Sequence, residues 1–232
     1  MKIALLGYGK MGKTIEQIAI ERGHTIVIKA DLGSQYIITE ADVAIDFSVP
    51  ESAFDNISNC IENGVPVISG TTGWLKNYDK AVALCNEKNG AFIYASNFSF
   101  GVNIFFELNK NLAKMMSALD QYKVSIEEIH HTQKLDAPSG TAITLANGII
   151  EQTKYTKWTL DVPKTNEIGI IAKRIENVPG IHEITYKSKV DTIQIKHEAH
   201  SREGFALGAV IAAEWIVGKK GVFSMKDVLN IG

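Results

Sequence analysis

Short apolar runs alternate with helical patterns through the first 95 residues, and this alternation constrains the fold more than any other feature of the chain. The runs fall at 2–6, 24–30, 43–47, 65–69 and 91–95, with helical periodicity over 10–22, 51–63 and 78–88. A helix between each pair of strands returns the chain to the same end, so the strands pair in parallel and form a doubly wound α/β sheet. The pattern changes near Ser96. A helix over 100–117 leads to a strand over 122–129, a helix over 142–152, and strand candidates at 168–177, 182–188 and 192–197. Pro179-Gly180 and residues 189–191 separate these last strands as turns that suit antiparallel pairing. A mostly apolar helix over 204–217 closes the pattern. The expected division is an N-terminal Rossmann-type dinucleotide domain, 1–97 with 203–232, and an inserted α+β domain over 98–202. The latter carries a mixed, mainly antiparallel sheet for substrate binding and oligomerisation.

The hydrophobic share of 45%, the charged share of 22% and the net charge of −2 are ordinary for a globular protein. They give no reason to expect nucleic-acid or membrane-surface binding. Cys60 and Cys85 are too few for a disulfide framework and lack metal-ligand spacing, so no metal is expected. No apolar stretch approaches the roughly 18 residues of a membrane span. The chain opens into a strand where a secretory leader would carry a charged and then an apolar region, and a cytoplasmic protein is expected.

Gly7-Tyr8-Gly9-Lys10-Met11-Gly12 joins the first strand to the first helix, where a G-x-G-x-x-G loop acts on dinucleotides. The first glycine permits the turn, the second lets backbone approach a pyrophosphate, and the third lets helix and sheet pack closely. The pyrophosphate then rests on the helix N-terminus. Asp31 ends the second strand nineteen residues after Gly12, in place to accept hydrogen bonds from a ribose and repel a 2′-phosphate. Lys10, Lys13 and Lys29 lie near enough in sequence to leave a 2′-phosphate open. The cofactor expected is therefore NADH and/or NADPH, with NADH preferred or both accepted. Loops 46–50, 69–73 and 96–103 follow later strands, at the sheet end where α/β proteins bind ligands. Gly70 and Thr72 can offer backbone groups to a nicotinamide carboxamide, and Ser96, Asn97 and Phe98 begin the crossover into the second domain.

The most chemically loaded stretch is His130-His131-Thr132-Gln133-Lys134-Leu135-Asp136-Ala137-Pro138-Ser139-Gly140-Thr141-Ala142. A histidine can deliver a proton near neutral pH, and a lysine attracts an anion. Ser139 or Thr141 can cap the following helix, whose free N–H groups then point at the same anion. This is equipment for holding a carboxylate and protonating a neighbouring carbon. His131 points to the opposite strand face if the strand continues. Asp136 reads as an acid stabilising its own turn, and Arg202 as a candidate for neutralising a second carboxylate. His182, His197 and His200 are weaker candidates.

Taken together these residues resemble the dihydrodipicolinate reductase family of lysine biosynthesis. Glu128 through Ala142 match every defined position of that family's E-x-H-H-x-x-K-x-D-x-P-S-G-T-A signature. The loops at Gly7–Gly12, Gly70–Gly73 and Asn97–Asn103 fit as well, as does His197 through Arg202. The resemblance implies NAD(P)H-dependent reduction of (2S,4S)-4-hydroxy-2,3,4,5-tetrahydrodipicolinate to (S)-2,3,4,5-tetrahydrodipicolinate with release of water. It implies His130 as proton donor, Lys134 as the principal substrate cation, His131 in contact with substrate, and Ser139-Gly140-Thr141 on a carboxylate. It further implies a homotetramer assembled through the second domain's sheet. Leu32 and Val49 stand where some members carry basic residues, which favours NADH. Two other readings remain. One is a different two-domain Rossmann dehydrogenase, in which the His-His-x-x-Lys stretch has no place. The other is a non-catalytic NAD(P)-binding sensor, which has no use for His130 and Lys134.

Overall fold

The computed structural model describes residues 1–201 and 203–231. Its contacts separate two units, Met1–Phe100 with Arg202–Gly232, and Gly101–Ser201. In the first, β1 (Lys2–Leu6), α1 (Lys10–Glu21), β2 (Thr25–Ala30), β3 (Val43–Asp46), α2 (Pro50–Glu62), β4 (Val67–Ser69), α3 (Tyr78–Glu87) and β5 (Ala91–Tyr94) alternate as the apolar runs require. β1, β3 and β4 are buried along nearly their whole length, the signature of strands covered on both faces. The helix α4 (Phe100–Met116) then leads into the second unit.

That unit holds β6 (Lys123–His130), α5 (Gly140–Ile150), β7 (Lys157–Thr159), β8 (Glu167–Arg174), β9 (Gly180–Lys187) and β10 (Thr192–Ala199). They form a mixed sheet in the order β10-β9-β6-β8-β7. β9 runs antiparallel to β10 and β6, whereas β8 runs parallel to β6 and β7. The turn at Pro179-Gly180 thus joins strands that are not neighbours. β6–α5–β8 is a crossover unit, which must return its strand in parallel, and β6 lies between β8 and β9. β6 and β9 alternate strictly in burial. Val124, Ile126, Ile184 and Tyr186 face a core shared with Phe105, Met116, Leu145 and Ile149 of the helices.

The chain returns to the first unit through α6 (Glu203–Ile216), β11 (Gly221–Phe223) and α7 (Met225–Leu229). β11 and α7 are too short to register as sequence patterns. The first unit's sheet is parallel throughout, in the order β11-β5-β4-β3-β1-β2. α6 packs on α1, where Glu214 takes both Arg22 Nε at 2.8 Å and Nη2 at 2.7 Å, with His24 Nε2 at 2.7 Å. It crosses so close to the end of β5 that a Cβ on Gly208 would lie 1.9 Å from the Phe98 carbonyl oxygen. Register brings Leu6, Asp46 and Ser69 level across β1, β3 and β4. The loops that follow these strands therefore gather at one sheet end, as the sequence leads one to expect.

Candidate active site

In the first unit, Gly7 adopts φ +95°, and a Cβ there would lie 2.2 Å from the Phe47 carbonyl oxygen. Only glycine fits. Gly12 is closed off as well, its Cβ position falling 2.4 Å from the Gly7 oxygen. Gly9, by contrast, has nothing within 4 Å and caps α1 without a side chain, so the helix amides stay open to a ligand. Gly7 and Gly9 border a cavity of about 440 Å³ that also reaches Asp31, Leu32, Ser48, Val49 and Asn56. Asp31 Oδ1 accepts the Tyr8 amide at 2.7 Å, which holds the acid at the cavity edge. None of the described residues lining this cavity is a lysine or arginine. Lys29 is instead paired with Glu16 at 2.6 Å and lies over the Tyr8 ring. Lys10 opens α1 as an exposed residue.

A second cavity of about 310 Å³ is lined by Met11, Phe47, Gly70, Ser96, Asn97, Phe98 and Phe205. A Cβ on Gly70 would fall 2.3 Å from the Phe47 ring, so that ring packs directly on this glycine. Thr72 is exposed and borders neither cavity. The cradle at Gly9, closed beneath by Gly7 and Gly12 and flanked by Asp31, fits a dinucleotide. Phe205 and Phe47 were not singled out in the sequence, although both are apolar residues adjoining glycine-bearing loops.

In the second unit, Glu128 and His130 continue the core face of β6, where period two would otherwise place apolar side chains. Glu128 is fully buried, and His182, its register partner on β9, is 4% exposed. The carboxylate meets His130 Nδ1 at 3.2 Å, Arg174 Nη2 at 3.1 Å, and the Ser139 N–H at 3.1 Å from both oxygens. His182 Nε2 lies 3.7 Å from Glu128 Oε2 and 3.1 Å from Ser139 Oγ. Burial alone would raise the Glu128 carboxyl, but bonds from His130, His182 and Ser139 outweigh it and hold it far below the ordinary carboxylate range. Burial lowers the pKa of His182, and Glu128 only partly offsets this.

Arg174 extends the cluster into the loop after β6. Its Nε donates to the Lys134 carbonyl at 3.2 Å and its Nη2 to the Asp136 carbonyl at 2.6 Å. Lys134 Nζ pairs with Asp136 Oδ2 at 2.9 Å. Asp136 is therefore the partner of the lysine, beyond its place in the turn. Ser139 caps α5, its Oγ accepting the Ala142 amide at 3.2 Å. Its own N–H is taken by Glu128, so the amides of Gly140 and Thr141 remain as the open donors of that helix start. His131 lies half-buried just past the end of β6. Arg202 lies outside the described residues. His130 Nε2, the nitrogen turned away from Glu128, sits beside Gly180, where a Cβ would approach to 3.2 Å.

Ligand atoms of Glu128, His130 and His182 lie within 4.8 Å of one another, a spacing that admits a cation. The guanidinium and amide already on Glu128 satisfy the carboxylate, and the positive charge of Arg174 opposes a metal there. Sequence reasoning passed over Arg174 and gave Glu128 no role of its own. A charged residue in an otherwise apolar strand phase was the available signal for Glu128 and His182.

A parallel doubly wound sheet with an open helix start at a glycine turn makes the first unit a dinucleotide-binding domain of the Rossmann class. The family's two sequence models, dihydrodipicolinate reductase N-terminus and C-terminus, match residues 1–98 and 101–229. The chain belongs to the dihydrodipicolinate reductase family. It is 59% identical over 234 residues to a 4-hydroxy-tetrahydrodipicolinate reductase of Christiangramia forsetii, covering 99% of this chain and 98% of the relative. It is 36% identical to the reductase of the same description from Methanosarcina acetivorans, over 99% of this chain and 89% of that one. A dipicolinate-bound dihydrodipicolinate reductase from Paenisporosarcina sp. TG-14 shares the fold, with TM-score 0.75, 23% identity and 97% of each chain covered.

Proposed function

We propose that this chain reduces 4-hydroxy-tetrahydrodipicolinate to tetrahydrodipicolinate with NAD(P)H, releasing water, in the diaminopimelate route to lysine. The observation that carries the assignment of residues is the Glu128–His130 pair beside the capped start of α5. Gly7, Gly9, Lys10, Met11, Gly12 and Asp31 would hold the pyrophosphate and adenosine side of the cofactor. Gly70, Ser96, Asn97 and Phe98 would hold the nicotinamide side, whereas Thr72, exposed and bordering neither cavity, drops out of that set. When bound, the nicotinamide supplies a hydride to the substrate ring.

The residues of the second unit do the rest. A dicarboxylate brings two negative charges that must be met when water leaves. Lys134 meets one as a point charge, and the Gly140 and Thr141 amides meet the other at a helix N-terminus; His131 and Arg202 complete the set. Asp136 holds Lys134 until the substrate carboxylate displaces it. His130 delivers the proton, from Nε2, because Nδ1 is turned to Glu128. The carboxylate lies 3.2 Å from the far nitrogen and would bias the ring's orientation by its charge, in the manner of the acid behind a catalytic-triad histidine. General-acid help of this kind is worth roughly 10²–10⁴ in rate.

NADH is favoured over NADPH. Asp31 faces the place of the ribose, Leu32 is exposed beside it, and no lysine or arginine lines the cavity among the described residues. The two free cysteines suit a cytoplasmic protein, and no described helix is long and apolar enough to cross a membrane. A homotetramer would assemble through the face of the mixed sheet opposite α4 and α5.

The test is loss of reduced-nicotinamide absorbance with substrate made in situ by dihydrodipicolinate synthase from pyruvate and aspartate semialdehyde. Turnover that collapses in His130→Gln and Lys134→Ala supports the reading. A folded chain that binds NADH yet never oxidises it refutes it and favours the sensor.

A further inference from the structure

Asp46 takes no part in the chemistry above, yet it is fully buried at the end of β3 and saturated with donors. Ser48 Oγ at 2.6 Å and Asn56 Nδ2 at 3.0 Å bind Oδ1. Ser69 Oγ at 2.7 Å and Thr71 Oγ1 at 2.8 Å bind Oδ2. These four side-chain partners are all neutral, so burying this carboxylate costs desolvation that none of them repays with a positive charge. Burial pushes its carboxyl up, and the four donors recover only part of the shift. An apolar side chain would fill the same space at lower cost.

The donors come from two different ligand loops. Ser48 follows β3 and lines the Gly9–Asp31 cavity, whereas Thr71 follows β4 beside Gly70 of the second cavity. The loops are also bonded directly, the Ser48 amide to Thr71 Oγ1 at 2.8 Å and the Gly70 amide to the Asp46 carbonyl at 2.9 Å. Phe47, next to Asp46, lines both cavities. Its ring abuts Gly70 and lies 5.8 Å from the Phe98 ring, while its carbonyl closes over Gly7. The residue that forms the common wall is thus held by the carboxylate beside it.

We propose that Asp46 is a positioning residue for the cofactor: it locks the Phe47–Val49 turn to the Gly70–Gly73 loop and so fixes Phe47, the wall shared by the two halves of the dinucleotide site. The proposal rests on the NAD(P)H reading of that site. Its consequence is selective. Loosening the lock weakens cofactor binding and leaves the substrate groups on the second unit untouched.

The experiment is NADH binding to the full chain, followed by fluorescence, with steady-state constants and thermal midpoints for each variant. Thr71→Val removes one donor to Asp46 and the acceptor of the Ser48 amide without changing side-chain size. It is expected to raise the Kd and KM for NADH about tenfold, the scale of one lost bond to a buried charge. The KM for substrate should move less than about twofold, and Thr71→Ser, which keeps the hydroxyl, should restore binding. Ser69→Ala, which removes a donor that lines neither cavity, should shift NADH binding in the same direction. Variants that lose thermal stability but bind NADH like wild type overturn the proposal and leave Asp46 a purely structural residue. Wild type that binds neither NADH nor NADPH overturns the functional reading and this proposal with it.

Discussion

Replacing Glu128 by glutamine removes one charge from the centre of the second unit and preserves its shape. The amide oxygen can still take Ser139 N–H and Arg174, which meet Oε1 at 3.1 Å each. The amide nitrogen then falls where Oε2 was, facing His130 Nδ1 at 3.2 Å. A donor now opposes Nδ1, so the ring is held in the form that accepts there, and the doubly protonated form loses its partner. Proton delivery needs that form. A bond to a charged group is worth about 1.5–3 kcal/mol, which alone is roughly 10- to 100-fold. Misorientation of the ring adds to it, so kcat should fall about 10²- to 10³-fold, within the range general-acid catalysis commands.

Stability should fall less steeply. Breaking a buried pair costs about 3–5 kcal/mol, but Arg174 keeps three backbone carbonyls and some water, so the low end is expected. The pH dependence follows from the direction of the shift. Glu128 lies below its ordinary value of 4.5 when folded, so its contribution is full above that pH and is lost as pH falls through the depressed folded value. The stability gap between wild type and Glu128→Gln should therefore narrow on acidification. Steady-state assays at saturating NADH, NADH titration and thermal melts at several pH values test each part. A variant with kcat within about threefold of wild type would refute the reasoning, because general-acid catalysis is too large to survive the loss of its partner so lightly.

Other outcomes follow from the same geometry. Lys134→Ala should raise the substrate KM by about 100-fold or more, as expected when a charge-assisted bond is lost, with NADH binding unchanged in a titration. Gly180→Ala brings a Cβ to 3.2 Å from His130 Nε2 and should lower kcat with little change in thermal midpoint. Wild type should use NADH at least as well as NADPH, and Leu32→Arg should shift the KM ratio toward NADPH. Burial lowers His182, so the fold should lose stability as pH falls below 6.5, where the unfolded chain binds the proton more readily. Dialysis against a chelator should leave turnover intact, since Arg174 occupies the carboxylate that a cation would need.

The parallel half of the fold was legible because its strands are short continuous apolar runs and its glycine loop has a steric reason at Gly7 and Gly12 and an open helix start at Gly9. The His130–Lys134 stretch and the Ser139 cap could be read for the same kind of reason. Strand order in the second unit could not. Pro179-Gly180 has the chemistry of a hairpin turn, yet β6 separates β8 from β9, and nothing local records which strand arrives between them. Of the two cap candidates, Ser139 and Thr141, it is Ser139 that caps the helix, and its own N–H goes to Glu128, eleven residues upstream on β6. Arg174 gave no signal, since its partners are a carboxylate on another strand, two loop carbonyls and the carbonyl of its own neighbour Lys173. Glu128 and His182 did leave a trace, as polar residues in the buried phase of alternating strands.

The route of the chain has a consequence for biosynthesis. The second unit is one uninterrupted segment, Gly101–Ser201, whereas the first is completed only by α6, β11 and α7. As a nascent chain emerges from the ribosome, β5 waits with a bare edge and the sheet lacks the helix that buries one face, until the segment carrying α6, β11 and α7 appears. The inserted unit can fold during that wait, while the nucleotide sheet is exposed to pairing with other nascent strands. A premature stop before Gly221 would therefore leave an intact substrate unit attached to an unfinished, aggregation-prone sheet.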